Sequence, residues 1–408
     1  MPELASGIHS RSKGIPVNSY NFDEIISRRG TGSEKWDVAK NELPMWVADM
    51  DFKTAPEIIE ALERRVQHGI FGYTGITPDW YEAYQNWWKM RHGFEIQKEW
   101  LIFTSGVVPA ISSLVRRLTL PAEKVLVQTP VYNIFFNSIV NNGRVPLESP
   151  LTDNNGRYEM DFGQLERDLA DPQTTLMLLC NPQNPGGRVW NAQELGEVAR
   201  LAKKNGVTVV SDEIHCDLTR PGVQYTPFAS VSEEAAQISV TCISPSKAFN
   251  LAGLHSAAVF VPDEHLRNRV SRGLNNDEVA EPNAFAICGA VAALTEGGPW
   301  LSALREYLEQ NYRTARRFIL DNLPQLQPFD EDATYLLWTD ARKLPAGGAS
   351  LAPFIRKETG LYISGGAQYG KAGEGFVRIN FACPAVRLND GLNRLAAGVK
   401  AYEKTYGN

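Results

Sequence analysis

A lysine standing among small hydroxyl residues at the end of an apolar run is placed for chemistry. In Cys242-Ile-Ser244-Pro-Ser246-Lys247-Ala-Phe-Asn250 the run before Lys247 is apolar and so is the segment after it. Most lysines sit in solvated loops, but this setting lowers an amine's pKa and favours a Schiff base. Other apolar runs end on equally suggestive residues. Val209-Val-Ser-Asp212-Glu-Ile-His215 puts a carboxylate straight after a buried stretch, which is costly without a cationic partner. Asn181-Pro-Gln-Asn-Pro-Gly-Gly187 offers an amide, Asn181, able to donate to a phenolate oxygen. Thr129-Pro-Val-Tyr132 supplies an aromatic ring that could stack on a flat cofactor. Thr104-Ser-Gly106-Val107-Val108-Pro-Ala110 runs from an apolar stretch into a helical pattern, where free N–H groups suit a phosphate.

Each joint also has a plain reading: a sharp turn, a packed tyrosine, a common strand–glycine–helix connection. Together, and in chain order, they supply a phosphate cup, a stacking ring, an oxygen donor, a pyridinium partner and an amine. That set matches pyridoxal 5'-phosphate (PLP) held as a Schiff base on Lys247. Ser244 and Ser246 are further candidates for the phosphate.

The elements that must position these groups follow from periodicity. Between residues 100 and 262, short apolar runs (100–104, 124–128, 175–180, 207–211, 238–243, 257–261) alternate with helical patterns (107–118, 132–140, 161–169, 191–205). Runs buried on both faces and alternating with helices imply an α/β domain around a largely parallel sheet. Such sheets bind ligands at the carboxyl ends of their strands, where the joints lie. Beyond about 290 the pattern changes to a long helix from 300, strands at 335–339 and 376–381, and helices near 351–358 and 387–402. This reads as a smaller α+β domain. The expected division is 55–290 for the large domain, with 1–54 and 291–408 forming the small one.

The 408 residues suffice for both domains, and a formal charge of −6 with scattered Lys and Arg argues against nucleic acid or an anionic membrane as partner. The five cysteines form no CxxC pair and fit no zinc spacing, so no metal is expected and the thiols read as reduced, in the cytoplasm. The N-terminal stretch has no hydrophobic signal core, and no apolar run approaches the roughly 20 residues of a membrane span.

The motifs resemble those of fold-type I PLP enzymes of the aminotransferase class I/II superfamily. They are more closely similar to the MalY/PatB group of cystathionine β-lyases (C–S lyases). The segments that carry the resemblance are Pro44-Met-Trp-Val-Ala-Asp-Met-Asp-Phe52, Phe71-Gly-Tyr-Thr74, Thr104-Ser-Gly-Val-Val-Pro109, Ser211-Asp-Glu-Ile-His215 and Ser244-Pro-Ser-Lys-Ala-Phe-Asn-Leu-Ala-Gly-Leu254. The resemblance implies a large domain with a mostly parallel seven-stranded sheet. It implies that Lys247 carries the cofactor and moves protons, and that Asp212 pairs with the ring nitrogen. Asn181 would meet the phenolate oxygen, Tyr132 would stack, and Gly106, Val107, Val108, Ser244 and Ser246 would hold the phosphate. Tyr73 would reach the phosphate of a second subunit, which implies a homodimer with shared sites. Arg378, in Phe376-Val-Arg-Ile-Asn380, would fork onto the substrate α-carboxylate, and Asp49 would face the substrate side chain. Two positions depart from the aminotransferase pattern. His255 stands where many aminotransferases have an arginine, and His215, also near the cofactor, where many have a tyrosine. The implied activity is β-elimination from L-cystathionine or related cysteine S-conjugates, giving a thiol, pyruvate and ammonia. A class I/II aminotransferase and a PLP-binding regulatory protein acting through a protein partner are the alternatives.

Overall fold

A computed structural model describes residues 20–407. The first 19 residues of the expected small domain, and Asn408, lie outside the described residues. The central sheet has seven strands: β1 (Leu101–Thr104), β2 (Lys124–Thr129), β3 (Val145–Pro150), β4 (Thr174–Cys180), β5 (Thr208–Asp212), β6 (Ser239–Ile243) and β7 (Ala257–Phe260). Their spatial order is β1-β7-β6-β5-β4-β2-β3. The pairs from β3 through β2, β4 and β5 to β6 are parallel, whereas β7 runs antiparallel to both β6 and β1.

Alternation along each strand explains why the runs are apolar throughout. Val125, Val127, Leu176, Leu178 and Val210 point into one core cluster, and Leu126, Met177, Leu179 and Val209 into another on the opposite face. Burial on both faces requires apolar side chains at odd and even positions alike. The helices that cover the sheet include α1 (Pro56–His68), α2 (Pro78–His92), α3 (Val107–Leu118), α4 (Ile134–Val140), α5 (Phe162–Leu169), α6 (Ala192–Lys204), α7 (Glu233–Ile238), α8 (Glu264–Asn276) and α9 (Ala286–Glu296). A capping box fixes the start of α6: the Asn191 side chain accepts from the Glu194 N–H, and Glu194 returns the bond to the Asn191 N–H. The edge strand β3 was not among the apolar runs, because on the sheet's rim it keeps exposed and half-buried residues. Helices α2 and α8 likewise add to the periodic reading.

After α9 come the 25-residue α10 (Gly298–Asn322) and a four-stranded antiparallel sheet. Its strands are β8 (Gln327–Pro328), β9 (Leu336–Asp340), β10 (Ser364–Gly365) and β11 (Phe376–Asn380), with helices α11 (Leu351–Thr359) and α12 (Ala385–Tyr406). The segment before α1 is stitched to this part. Leu43–Pro44 pairs in parallel with Leu361–Tyr362, the Asn380 N–H donates to Met45 O, and the Asp51 N–H donates to Ala382 O. Ala48 and Asp49 are thereby held in front of the central sheet. Among the described residues no helix is long and apolar enough to cross a membrane.

Candidate active site

The carboxyl ends of β4, β5 and β6 open into a cleft of about 860 Å³. It is closed on one side by the start of α3 and on another by Ala48. Gly106, Val107, Val108, Tyr132, Asp212, His215, Ser244, Ser246 and Lys247 all line it. These nine positions come from four separate strand–helix joints.

Lys247 lies in the turn after β6, and its Nζ donates to the Ala48 carbonyl oxygen at 2.7 Å. Tyr335 Oη donates to the same carbonyl at 3.0 Å. Burial, with the positive field of Arg378, pushes the amine down to about 8, against the opposing pull of Asp49 and Asp212. Asp212 ends β5. Burial pushes its carboxyl up to about 7, only partly offset by the Ile214 N–H, which it accepts at 3.2 Å, and by Lys247. No Lys, Arg or His among the described residues forms a salt bridge with it. A buried acid in that state wants a cationic N–H donor. His215 is buried with Nδ1 unpartnered, and burial drives its pKa down to about 3, so the imidazole is neutral at neutral pH.

The phosphate end is made of backbone. Helix α3 starts at Val107 with no side chain capping it and no acid in its first turn, so its amino end is electrically open. A Cβ at Gly106 would come within 3.1 Å of Pro109 Cδ, so this joint is shaped for a residue without a side chain. Ser244 lines the cleft, but its Oγ is engaged: it donates to Ser256 O at 2.7 Å and accepts the Ser246 N–H at 3.0 Å. Ser256 Oγ, unforeseen from the sequence, also lines the cleft and is buried without a partner.

Four expected residues are not on the cleft wall. Asn181 is the first of them. Its amide nitrogen donates to Thr226 O at 3.0 Å, which turns the side chain away from the opening. Asn184, three residues on, lines the cleft instead. The turn after β4 carries the chain round so that the second Asn-Pro, not the first, reaches the cavity. Arg378, in the middle of β11, stands behind Asn184. Its Nη1 donates to Asn184 Oδ1 at 3.1 Å, its Nη2 to Trp46 O at 2.9 Å, and Nε is buried without a partner. Its guanidinium carbon lies 4.9 Å from the Tyr369 ring centroid, and no carboxylate among the described residues forms a salt bridge with it. Asp49 is tied down beside the cleft by Arg28, at 2.5 Å, and Lys35, at 3.5 Å. Tyr73 is fully exposed, in a stretch where Ile70 and Phe71 are exposed as well.

The donor set fits PLP. It offers an amine with lowered pKa, a buried acid with no salt-bridge partner among the described residues, an amide and a tyrosine on the cleft wall, and an uncapped helix start that would suit the phosphate.

Comparison with known proteins bears on the family and the fold. The family described as Aminotransferase class I and II matches residues 41–395. The chain is 43% identical over 385 residues to the cystathionine β-lyase PatB of Bacillus subtilis, covering 93% of this chain and 100% of that one. It is 33% identical to the protein MalY of Escherichia coli, over 94% and 99% of the two chains. Among solved structures, cystalysin from Treponema denticola, which contains pyridoxal 5'-phosphate, superposes with a TM-score of 0.90 at 34% identity, covering 94% and 99%. The PLP-bound C–S lyase from Staphylococcus hominis, in complex with L-cycloserine, gives 0.88 at 34% identity over 95% and 99%. The chain belongs to the aminotransferase class I and II family.

Proposed function

We propose that the protein is a PLP-dependent carbon–sulfur β-lyase that cleaves L-cystathionine and related cysteine S-conjugates. With water, L-cystathionine gives homocysteine, pyruvate and ammonia. The observation that carries the reading is the pairing in one cleft of a buried amine near pKa 8, Lys247, with a buried acid near pKa 7, Asp212, that no protein cation neutralises. Sequence identity to a cystathionine β-lyase over that relative's whole length supports the substrate class.

Lys247 would hold the cofactor through Nζ, Asp212 would meet its ring nitrogen, and Asn184 its phenolate oxygen. Tyr132 would stack on the ring, and the backbone of Gly106, Val107 and Val108 with Ser246 would take the phosphate. Bound PLP supplies an electron sink for the pair left when the substrate's Cα proton is removed, which lets the Cβ–S bond break. The chain's own groups do the rest. Arg378 fixes the α-carboxylate with its planar fork, and its Asn184 bond keeps that fork oriented. Lys247 Nζ takes the Cα proton; an amine near pKa 8 is partly unprotonated at neutral pH, as a base must be. Neutral His215 adds no charge beside it.

The working unit we propose is a homodimer. Ile70, Phe71 and Tyr73 would be covered by a second copy, and Tyr73 would complete the neighbour's phosphate site. In the division we propose, residues 55–290 form the cofactor-binding domain and, of the described residues, 20–54 with 291–407 the smaller one. The cysteines, all unpaired among the described residues, suit the reducing cytoplasm. Lys247→Ala tests the assignment directly. It should abolish pyruvate release from L-cystathionine and shift the visible absorption of the bound cofactor; a variant keeping both would end it.

A further inference from the structure

A second hollow, of about 660 Å³, adjoins the cleft. The two share Ala252 and meet across the Ala48–Asp49 backbone, so the new hollow begins one residue from the carbonyl that holds Lys247 Nζ. Its wall includes Arg28, Asp49, Asp51, Lys53 and Asn250.

Among the described residues, the charges beside this hollow do not balance. Arg28, Lys35 and Arg387 face Asp49 and Asp51, three cations against two carboxylates. Lys53 is already neutralised by Glu24 at 2.9 Å. Lys35 is buried, so the surplus can be met from solvent mainly through Arg28. Arg28 spends Nη1 on Asp49, Met50 O and Asp51, and one Nη2 donor on Asp49. Among the described residues its Nε makes no hydrogen bond. The Nε/Nη2 edge of a guanidinium is a two-pronged fork that matches a carboxylate, and here the Asp49 and Asp51 bonds hold its plane still.

We infer that Arg28 recognises a second, distal carboxylate on the thiol side of the substrate. Preferred S-conjugates are then those whose departing thiol carries its own carboxylate, as homocysteine does. This rests on the lyase reading and narrows it. The α-carboxylate is proposed for Arg378, which leaves Arg28 available to the other end of the substrate.

The test compares two conjugates of similar length, S-(3-carboxypropyl)-L-cysteine and S-butyl-L-cysteine, by pyruvate release. The PLP-loaded wild type should favour the carboxylate by roughly tenfold or more in kcat/KM, as expected for a charge-assisted bond. In Arg28→Gln the preference should vanish, mainly through KM, with S-butyl-L-cysteine turned over much as before. Arg28→Lys, which keeps the charge but not the fork, should retain part of the preference. Equal use of both conjugates by the wild type, or an equal loss on both in Arg28→Gln, overturns the inference and leaves the lyase reading standing. Absence of pyruvate from both conjugates with wild type overturns the inference and the lyase reading together.

Discussion

Asp212 shows how one buried group couples the cofactor to stability. In the cofactor-free chain its carboxyl pKa is about 7, above the ordinary 3.8. The folded state therefore binds the proton more tightly than the unfolded state. Asp212 thus weakens the apoprotein progressively as pH rises from about 4 to about 7, and by a constant amount above that. Asp212→Asn should raise the apoprotein's unfolding temperature, more at pH 8 than at pH 5, while abolishing most turnover. A stabilisation that does not grow with pH would contradict the account. Asn184 gives a second check. Asn184→Ala strips Arg378 of a partner in a buried site and should cost roughly ten- to a hundredfold in kcat/KM. Asn181→Ala should act chiefly on stability, by about 1–3 kcal/mol in urea unfolding, through the lost bond to Thr226 O. Residue types alone do not separate these two asparagines, since both precede a proline at the end of the same strand. Only the course of the turn does. The Arg28–Asp49 pair was equally hidden, because its members are 21 positions apart in a stretch without regular periodicity.

At the scale of elements, the strands buried on both faces were legible as apolar runs, and β2, β4, β5 and β6 lie within a residue or two of their expected bounds. Strand β3 was not, since an edge strand with an open face does not need the pattern. What the runs could not convey is how the turn after β4 is fastened. Gly187 has φ +65° and its carbonyl accepts the N–H groups of Asp332, at 2.8 Å, and Ala333, at 3.0 Å. A Cβ there would fall 2.6 Å from Glu331 Cβ. Gly187→Ala should destabilise by more than about 1 kcal/mol and slacken the Asn184 turn, lowering kcat/KM as well. Denaturant midpoints and steady-state rates measured side by side check this. The capping box is a simpler case: Asn191→Ala should cost about 1 kcal/mol and leave kinetics unchanged.

For the whole molecule, the family was legible because the motifs fall at strand ends in chain order, and the seven-stranded sheet followed from that resemblance rather than from the six apolar runs. The proposed homodimer rests on residues that are exposed in the single chain. Ile70, Phe71 and Tyr73 are exposed together, and the account predicts that a second copy buries them. Phe71→Asp should yield monomers in sedimentation experiments and lose PLP on dialysis faster than the wild type. The central claim concerns what the assembled cleft does with its substrate, and the most direct measurement is pyruvate formation from L-cystathionine by the PLP-loaded protein without added 2-oxo acid. The account predicts many turnovers per site, with homocysteine and ammonia released in step with pyruvate. A single turnover that resumes only when a 2-oxo acid is supplied would show transamination and contradict it.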